Sequence, residues 1–170
     1  MTTPCCWTAC DASCDAISRS KPPRVVREHV FDEDAHGVAV IEGALYALVE
    51  SAGHTLRHRC LAARRVAVEL DFSDGRRCAR QRVLRPATAN DMSLFATARA
   101  VLYLAWRRRV RIRHLRLICD RLTFPPAQRE LFPGETAVDG RQARLVAALD
   151  SIRQRFGRDA VSVGRTLAAS

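Results

Sequence analysis

Six stretches of the chain carry a clear hydrophobic period, and their order is strand, helix, strand, strand, helix, strand. Residues 24–31 (RVVREHVF) are β-branched and aromatic, which favours a strand. Asp32, Glu33 and Asp34 then read as an acidic turn closed by Gly37. Over residues 38–60, Val38, Ile41, Leu45, Leu48, Val49, Ala52 and Leu56 recur at three- and four-residue intervals, the mark of an amphipathic helix. Gly43 and Gly53 each weaken it by ~1 kcal/mol relative to Ala. Residues 65–72 alternate, with Val66, Val68, Leu70 and Phe72 on one side and Arg65, Ala67, Glu69 and Asp71 on the other. Ser73, Asp74 and Gly75 form a hairpin-type turn signal. Residues 76–85 return, placing Arg76, Cys78, Arg80, Arg82 and Leu84 on one face by the period of two, until Pro86 ends the strand. Asp91 is the expected N-cap of a second helix whose apolar face holds Met92, Phe95, Val101, Leu102, Ala105 and Trp106. That helix runs out at Arg107, Arg108 and Arg109. The last strand falls over residues 111–122, with Arg113, Leu115, Leu117 and Cys119 on one face and Ile112, His114, Arg116 and Ile118 on the other.

This order is the split β-α-β pattern used twice. It predicts an α+β fold, a four-stranded sheet (β-α-β-β-α-β) with two helices on one face and the other face open. Arg80 and Arg82 are expected on that open face or its edges, subject to register, since a slip of one residue exchanges the faces. The flanks differ in character. Residues 1–23 read as a disordered leader ending in Pro22 and Pro23, and residues 24–122 as the folded domain. Residues 123–140 read as an extended linker. Helical spacing resumes over 141–157 through Leu145, Ala148, Leu149, Ile152 and Phe156, with Gly157 as C-cap. Residues 158–170 read as a loose tail.

Charge sharpens the picture. The chain of 170 residues carries a net +10, yet residues 57–121 alone hold 17 Arg against 5 acids, a net +12. Such a concentration suits a polyanion better than a small acidic substrate. Lys21 is the sole lysine, and arginine's planar fork matches phosphate oxygens. A GC-rich genome accounts for much of the choice of Arg over Lys, but not for the clustering. No apolar run reaches the ~18 residues needed to span a bilayer, and no secretory signal pattern opens the chain. Both point to the cytoplasm, where disulfides are rare. Of 7 cysteines, Cys5, Cys6, Cys10 and Cys14 cluster near the start, while Cys60, Cys78 and Cys119 fall at expected core positions. The cluster could bind zinc or act in redox chemistry, but it lacks paired Cys-x-x-Cys knuckles and a nearby His, which favours an unstructured leader.

Several local motifs, in order, resemble one family. Glu28, His29, Val30 and Phe31 resemble a Glu-x-Thr-Phe strand. Residues 66–72, with Arg76 and the run Arg80, Gln81, Arg82, Val83, Leu84, resemble paired strands whose second member carries a Thr-Arg-Ser-Arg-Thr-Leu-like run. Residues 112–117 (IRHLRL) resemble a closing strand that is usually Val-Arg-Leu-Leu-Gly-Val. Residues 128–132 (QRELF) resemble a clamp-binding pentapeptide, and residues 149–157 (LDSIRQRFG) the helix that follows it. Together they resemble the C-terminal little finger and clamp-binding tail of Y-family (translesion) DNA polymerases of the DNA polymerase IV type. Arg116 stands where Gly is common, Val83 replaces a Thr, and Arg129 replaces a preferred Leu.

The resemblance implies a module of DNA repair and damage tolerance that lies on duplex or primer-template DNA and contacts its backbone without reading sequence. Arg76, Arg80, Arg82 and Arg113 are the candidate contacts. It implies a second site at Gln128, Leu131 and Phe132 for a sliding clamp, the two apolar residues acting as anchors. Polymerase chemistry needs carboxylates that hold two metal ions; in the family these lie N-terminal to the little finger. The expectation is therefore no enzyme activity of the chain alone, no catalytic residue, no metal site and no cofactor, with Mg²⁺ belonging to the catalytic segments. The alternatives are a clamp-interaction module or accessory protein that competes with a full polymerase, and a zinc or redox role for the N-terminal cysteines. Whether the chain is a truncated polymerase gene or a free-standing module, and its oligomeric state, stay open.

Overall fold

β1 (Val25–Ala35), α1 (Val38–His58), β2 (Ala63–Phe72), β3 (Arg77–Thr88), α2 (Asp91–Ala105), β4 (Ile112–Asp120) and α3 (Thr136–Phe156) follow one another in the computed structural model. It describes residues 23–124 and 136–157 together with 160, 161 and 164, and of residues 136–139 and 143 the backbone alone. The first six elements are those the periodicities predict. The strands form one sheet in the order β1-β4-β2-β3, with every neighbouring pair antiparallel. Thus β1 and β2 run parallel on either side of β4 and are joined through α1. Likewise β3 and β4 flank β2 and are joined through α2. Two split β-α-β units interleave.

Period-two alternation puts the core between sheet and helices. Val66, Val68 and Leu70 of β2 stand opposite Cys119, Leu117 and Leu115 of β4, and all six are buried. Ile41, Leu45, Val49 and Leu56 of α1, with Leu94, Ala98 and Leu102 of α2, close over them. Each large aliphatic side chain so buried contributes roughly 1.5–3 kcal/mol. α1 covers β1 and β4, and α2 covers β2 and β3, so both helices lie on one face as expected.

Several expected boundaries are corrected. Asp32, Glu33 and Asp34 are not a turn: β1 continues through them to Ala35, with a register irregularity after Val30, so that Phe31 and Ala35 are buried and Asp32 and Glu33 exposed. Pro86 does not end β3, which runs on to Thr88 with a cis Arg85–Pro86 peptide. β3 is an edge strand, where a missing ladder N–H is tolerated. The N-cap of α2 is Asn90, whose side chain accepts the Met92 N–H at 2.9 Å, and Asp91 is the first helical residue. In β4, Arg113 is an extra residue between the pairs Asp71–His114 and Phe72–Ile112, so Ile112 is buried and Arg113 exposed, breaking the expected alternation at that end. Cys60 is exposed rather than in the core; Cys119 is buried, and burial pushes its thiol up to about 12.

α3 begins inside the expected linker and ends where expected. Gly157 takes φ +95°, a conformation glycine adopts without steric cost, and its N–H bonds the Arg153 carbonyl at 2.9 Å. The face of α3 that meets the domain is not the expected apolar one. Val146 is buried, while Leu145 (54% exposed) and Phe156 (67%) face solvent. Polar contacts dominate the docking. Arg57 of α1 bonds Asp91 of α2 at 2.6 Å and Asp150 of α3 at 2.6 Å, and also donates to the Ala89 carbonyl. Arg153 of α3 bonds Glu50 of α1 at 2.7 Å. Asp91 is only 4% exposed. Burial raises its carboxyl above the ordinary value, against the pull of Arg57. Gly53 permits this approach, because a Cβ there would fall on the Asp91 carboxylate. Among the described residues no helix is long and apolar enough to cross a membrane.

Candidate nucleic-acid interface

Strand register decides which arginines are available. On the open face of the sheet, antiparallel pairing lines up Glu28, Arg116, Glu69 and Ala79 in one row across all four strands. The next row holds Val30, His114, Asp71 and Arg77. A third places Asp120 beside Arg65 and Val83. Opposite charges therefore meet as neighbours. Arg116 bonds Glu28 at 3.1 Å and Glu69 at 3.3 Å. Arg65 forks onto Asp120 through Nε and Nη2. Arg77 forks onto Asp71, whose other neighbour His114 lies at 3.3 Å. The hydrogen bonds from Arg77, helped by His114, hold Asp71 below the usual carboxylate range. Within these three rows three arginines meet four acids. Arg116, which departs from the glycine usual in the resembling motif, is one member of that balance.

Arg80 and Arg82 are not on the open face. They pair with Val68 and Val66, and residues paired across an antiparallel ladder share a side, so both lie on the helix side of the edge strand. There they extend beyond the core and are exposed, with no carboxylate partner among the described residues. Among the described residues Arg80 bonds the adjacent Ala79 carbonyl at 2.8 Å. Arg76 is exposed beside Gly75 at the β2–β3 turn, and its backbone N–H bonds Asp74 at 3.1 Å. Arg113 lies two strands away at the start of β4, bonded to Asp34 at 3.3 Å. The structure thus brings Arg76, Arg80 and Arg82 onto one edge and separates Arg113 from them. Gln128, Leu131 and Phe132 lie outside the described residues, as do Cys5, Cys6, Cys10 and Cys14.

Sequence reasoning passed over the loop between α2 and β4. Arg108 bonds Asp74 at 2.8 Å and stands over the Phe72 ring at 5.7 Å. The Arg111 carbonyl accepts the Ser73 N–H at 3.0 Å. Loop and hairpin turn are therefore one unit, and exposed Arg107, Arg109 and Arg111 flank it. The run of arginines directly after a helix was the signal.

Comparison with known proteins gives this surface a lineage. DNA polymerase IV of Dehalococcoides mccartyi strain CBDB1 is 29% identical over 148 residues, which is 86% of this chain and 37% of that protein. The enzyme of the same name from strain 195 is 30% identical over 145 residues, 84% of this chain and 36% of that one. The chain therefore spans little more than a third of the length of these curated relatives. Among solved structures, a complex of the β-clamp processivity factor with the little finger domain of PolIV aligns with TM-score 0.44 and 25% identity, covering 66% of this chain and 99% of that one. A post-insertion binary complex of Dbh DNA polymerase aligns with TM-score 0.48 and 13% identity, covering 60% and 29%. The impB/mucB/samB family C-terminal domain matches residues 22–131, which take in the whole sheet and both of its helices. The chain belongs to the impB/mucB/samB family and carries its C-terminal domain.

Proposed function

We propose that residues 24–122 grip the sugar-phosphate backbone of DNA without reading its sequence, as the little finger part of a translesion DNA polymerase, and that the outer edge of β3 is the gripping surface. One observation carries this reading. Arg65, Arg77 and Arg116 each hold a carboxylate, whereas Arg80 and Arg82 hold none among the described residues. A carboxylate-paired arginine must give up its partner to take a phosphate, whereas Arg80 has only the Ala79 carbonyl beside it and Arg82 has no such partner among the described residues. Arg80 and Arg82 sit about 7 Å apart along the strand, close to two 3.4 Å steps of one DNA strand. Arg76 continues the line at the turn. Arg113, engaged by Asp34, contributes less. Contacts of this kind position a duplex rather than select a sequence. Family membership and relatives that are DNA polymerases support the same role.

On this reading the chain's own part is binding, with no cofactor. Nucleotide transfer and its Mg²⁺ belong to the catalytic segments that the family carries N-terminal to this module, and the work is done in the cytoplasm. Clamp docking through Gln128, Leu131 and Phe132 rests on the sequence resemblance. The test is fluorescence anisotropy of the 170-residue chain on a labelled primer-template between about 50 and 200 mM salt. The double variant Arg80→Ala/Arg82→Ala should lower the log-log salt slope by about 2, since each phosphate contact accounts for about 0.9. An unchanged slope and affinity would remove the basis of the proposal.

A further inference from the structure

We propose that the corner made by the β2–β3 turn and the α2–β4 loop is a second DNA-backbone contact, so that the bound DNA runs past the end of β3 onto Arg107, Arg109 and Arg111. The inference rests on the DNA-binding reading above and extends its surface.

Three observations place the corner. First, its acid is spent. Asp74, despite some desolvation, is held below the usual carboxylate range by the Arg76 N–H and by Arg108. Arg107, Arg109 and Arg111 are exposed and have no carboxylate partner among the described residues. Second, the corner is built rather than loose. Arg108 is fixed between Asp74 and the Phe72 ring, and the Ser73 N–H holds the loop at the Arg111 carbonyl. One arginine thus fixes the loop that presents the other three. Third, the corner is continuous with the proposed edge. α2 lies against both β2 and β3. Its first residues follow the end of β3 at Thr88, so its last residues lie toward the start of β3 at Arg77. Arg76 then sits between the corner and Arg80. Free guanidiniums follow one another from the loop, across the turn and along the strand. On the open face of the same sheet Arg65, Arg77 and Arg116 are each held by an acid. The corner lacks such matching, and an array of unmatched, pre-positioned cations fits a chain of phosphates.

The experiment compares the wild-type chain, Arg80→Ala/Arg82→Ala and Arg107→Ala/Arg109→Ala/Arg111→Ala on one duplex of about 30 base pairs. Binding is read by anisotropy across the same salt range, and folding by circular dichroism. The expected result is a triple alanine variant that stays folded, loses about 2 to 3 from the log-log salt slope, at about 0.9 per phosphate, and binds at least tenfold more weakly at 0.1 M salt. A triple lysine variant at these positions, which keeps the charge, should hold the wild-type slope. If the alanine variant binds like wild type while Arg80→Ala/Arg82→Ala is weakened, the corner is a solvated surface and the proposal falls alone. If the lysine variant is as weak as the alanine variant, the loop acts through folding, and the proposal falls again. A wild-type chain that binds no DNA at low salt overturns both readings together.

Discussion

The carboxylate of Asp91 occupies the space that a methyl group on Gly53 would need. By helix propensity alone, Gly53→Ala should stabilise α1 by about 1 kcal/mol. Here the added carbon would force Asp91 off Arg57, or α1 away from α2. The expected outcome is a net loss of about 1–3 kcal/mol, in the range for overpacking a close contact, read as a lower urea midpoint. A midpoint at or above wild type would show that the two helices can separate without cost.

Asp71 gives the domain a pH dependence of known sign. Hydrogen bonding from Arg77, with His114, lowers its pKa below 3.8 in the folded state. Its stabilising contribution is therefore present above 3.8 and is lost as pH falls through the lower folded value. Asp91 has the opposite sign: its raised pKa favours the protonated form in the folded state, a contribution that fades as pH rises through the folded value. Asp71→Asn should start less stable at pH 7 and lose less of its Tm than wild type between pH 5 and pH 2.5. Parallel Tm curves would mean that the pair with Arg77 contributes nothing.

Much of the fold could be read from periodicity, because apolar spacing reports how each element packs on its own layer. Arg80 and Arg82 were correctly grouped with Cys78 and Leu84, yet their side of the sheet depends on pairing with Val68 and Val66, and no property of β3 alone reveals that. Arg113 was misplaced because it is the extra β4 residue between the pairs Asp71–His114 and Phe72–Ile112, a break that shows in the pairing with β2. Asp91 reads as a cap until Asn90 is seen to fill that role and Arg57, 34 residues earlier, is seen to claim its carboxylate. The apolar spacing of α3 is real, but the helix docks through Asp150 and Arg153 instead, because the docking partners Arg57 and Glu50 are charged.

The balance of the open face makes a separate prediction. Glu28→Gln/Glu69→Gln frees Arg116 and adds positive charge to that face. If DNA lies along the edge of β3, affinity at 0.15 M salt should change by less than about twofold, since the Debye length there is about 8 Å. A gain of tenfold would place DNA across the open face, and titration of the double variant against wild type decides between the two.

Leu131→Ala/Phe132→Ala addresses the clamp. If these two residues are the anchors, the variant should lose binding to a purified sliding clamp in surface plasmon resonance while its DNA affinity stays within twofold. Clamp binding that survives the substitution would move any clamp contact elsewhere on the chain.

β4, the last strand of the sheet to be made, is the one that holds it together. Among the described residues β1 pairs only with β4, and the β2–β3 hairpin is joined to β1 in the sheet only through β4. During synthesis, then, the chain emerges as a strand with its helix and a hairpin with its helix, and the edges of β1 and β2 that face β4 stay unpaired until residues 112–120 arrive. Closure depends on contacts far apart in sequence, which form slowly. A ribosome stalled before Ile112 would hold two halves that meet through α1 and α2 but share no strand pairing, and a chain cut just after α2 would expose the edge that β4 covers.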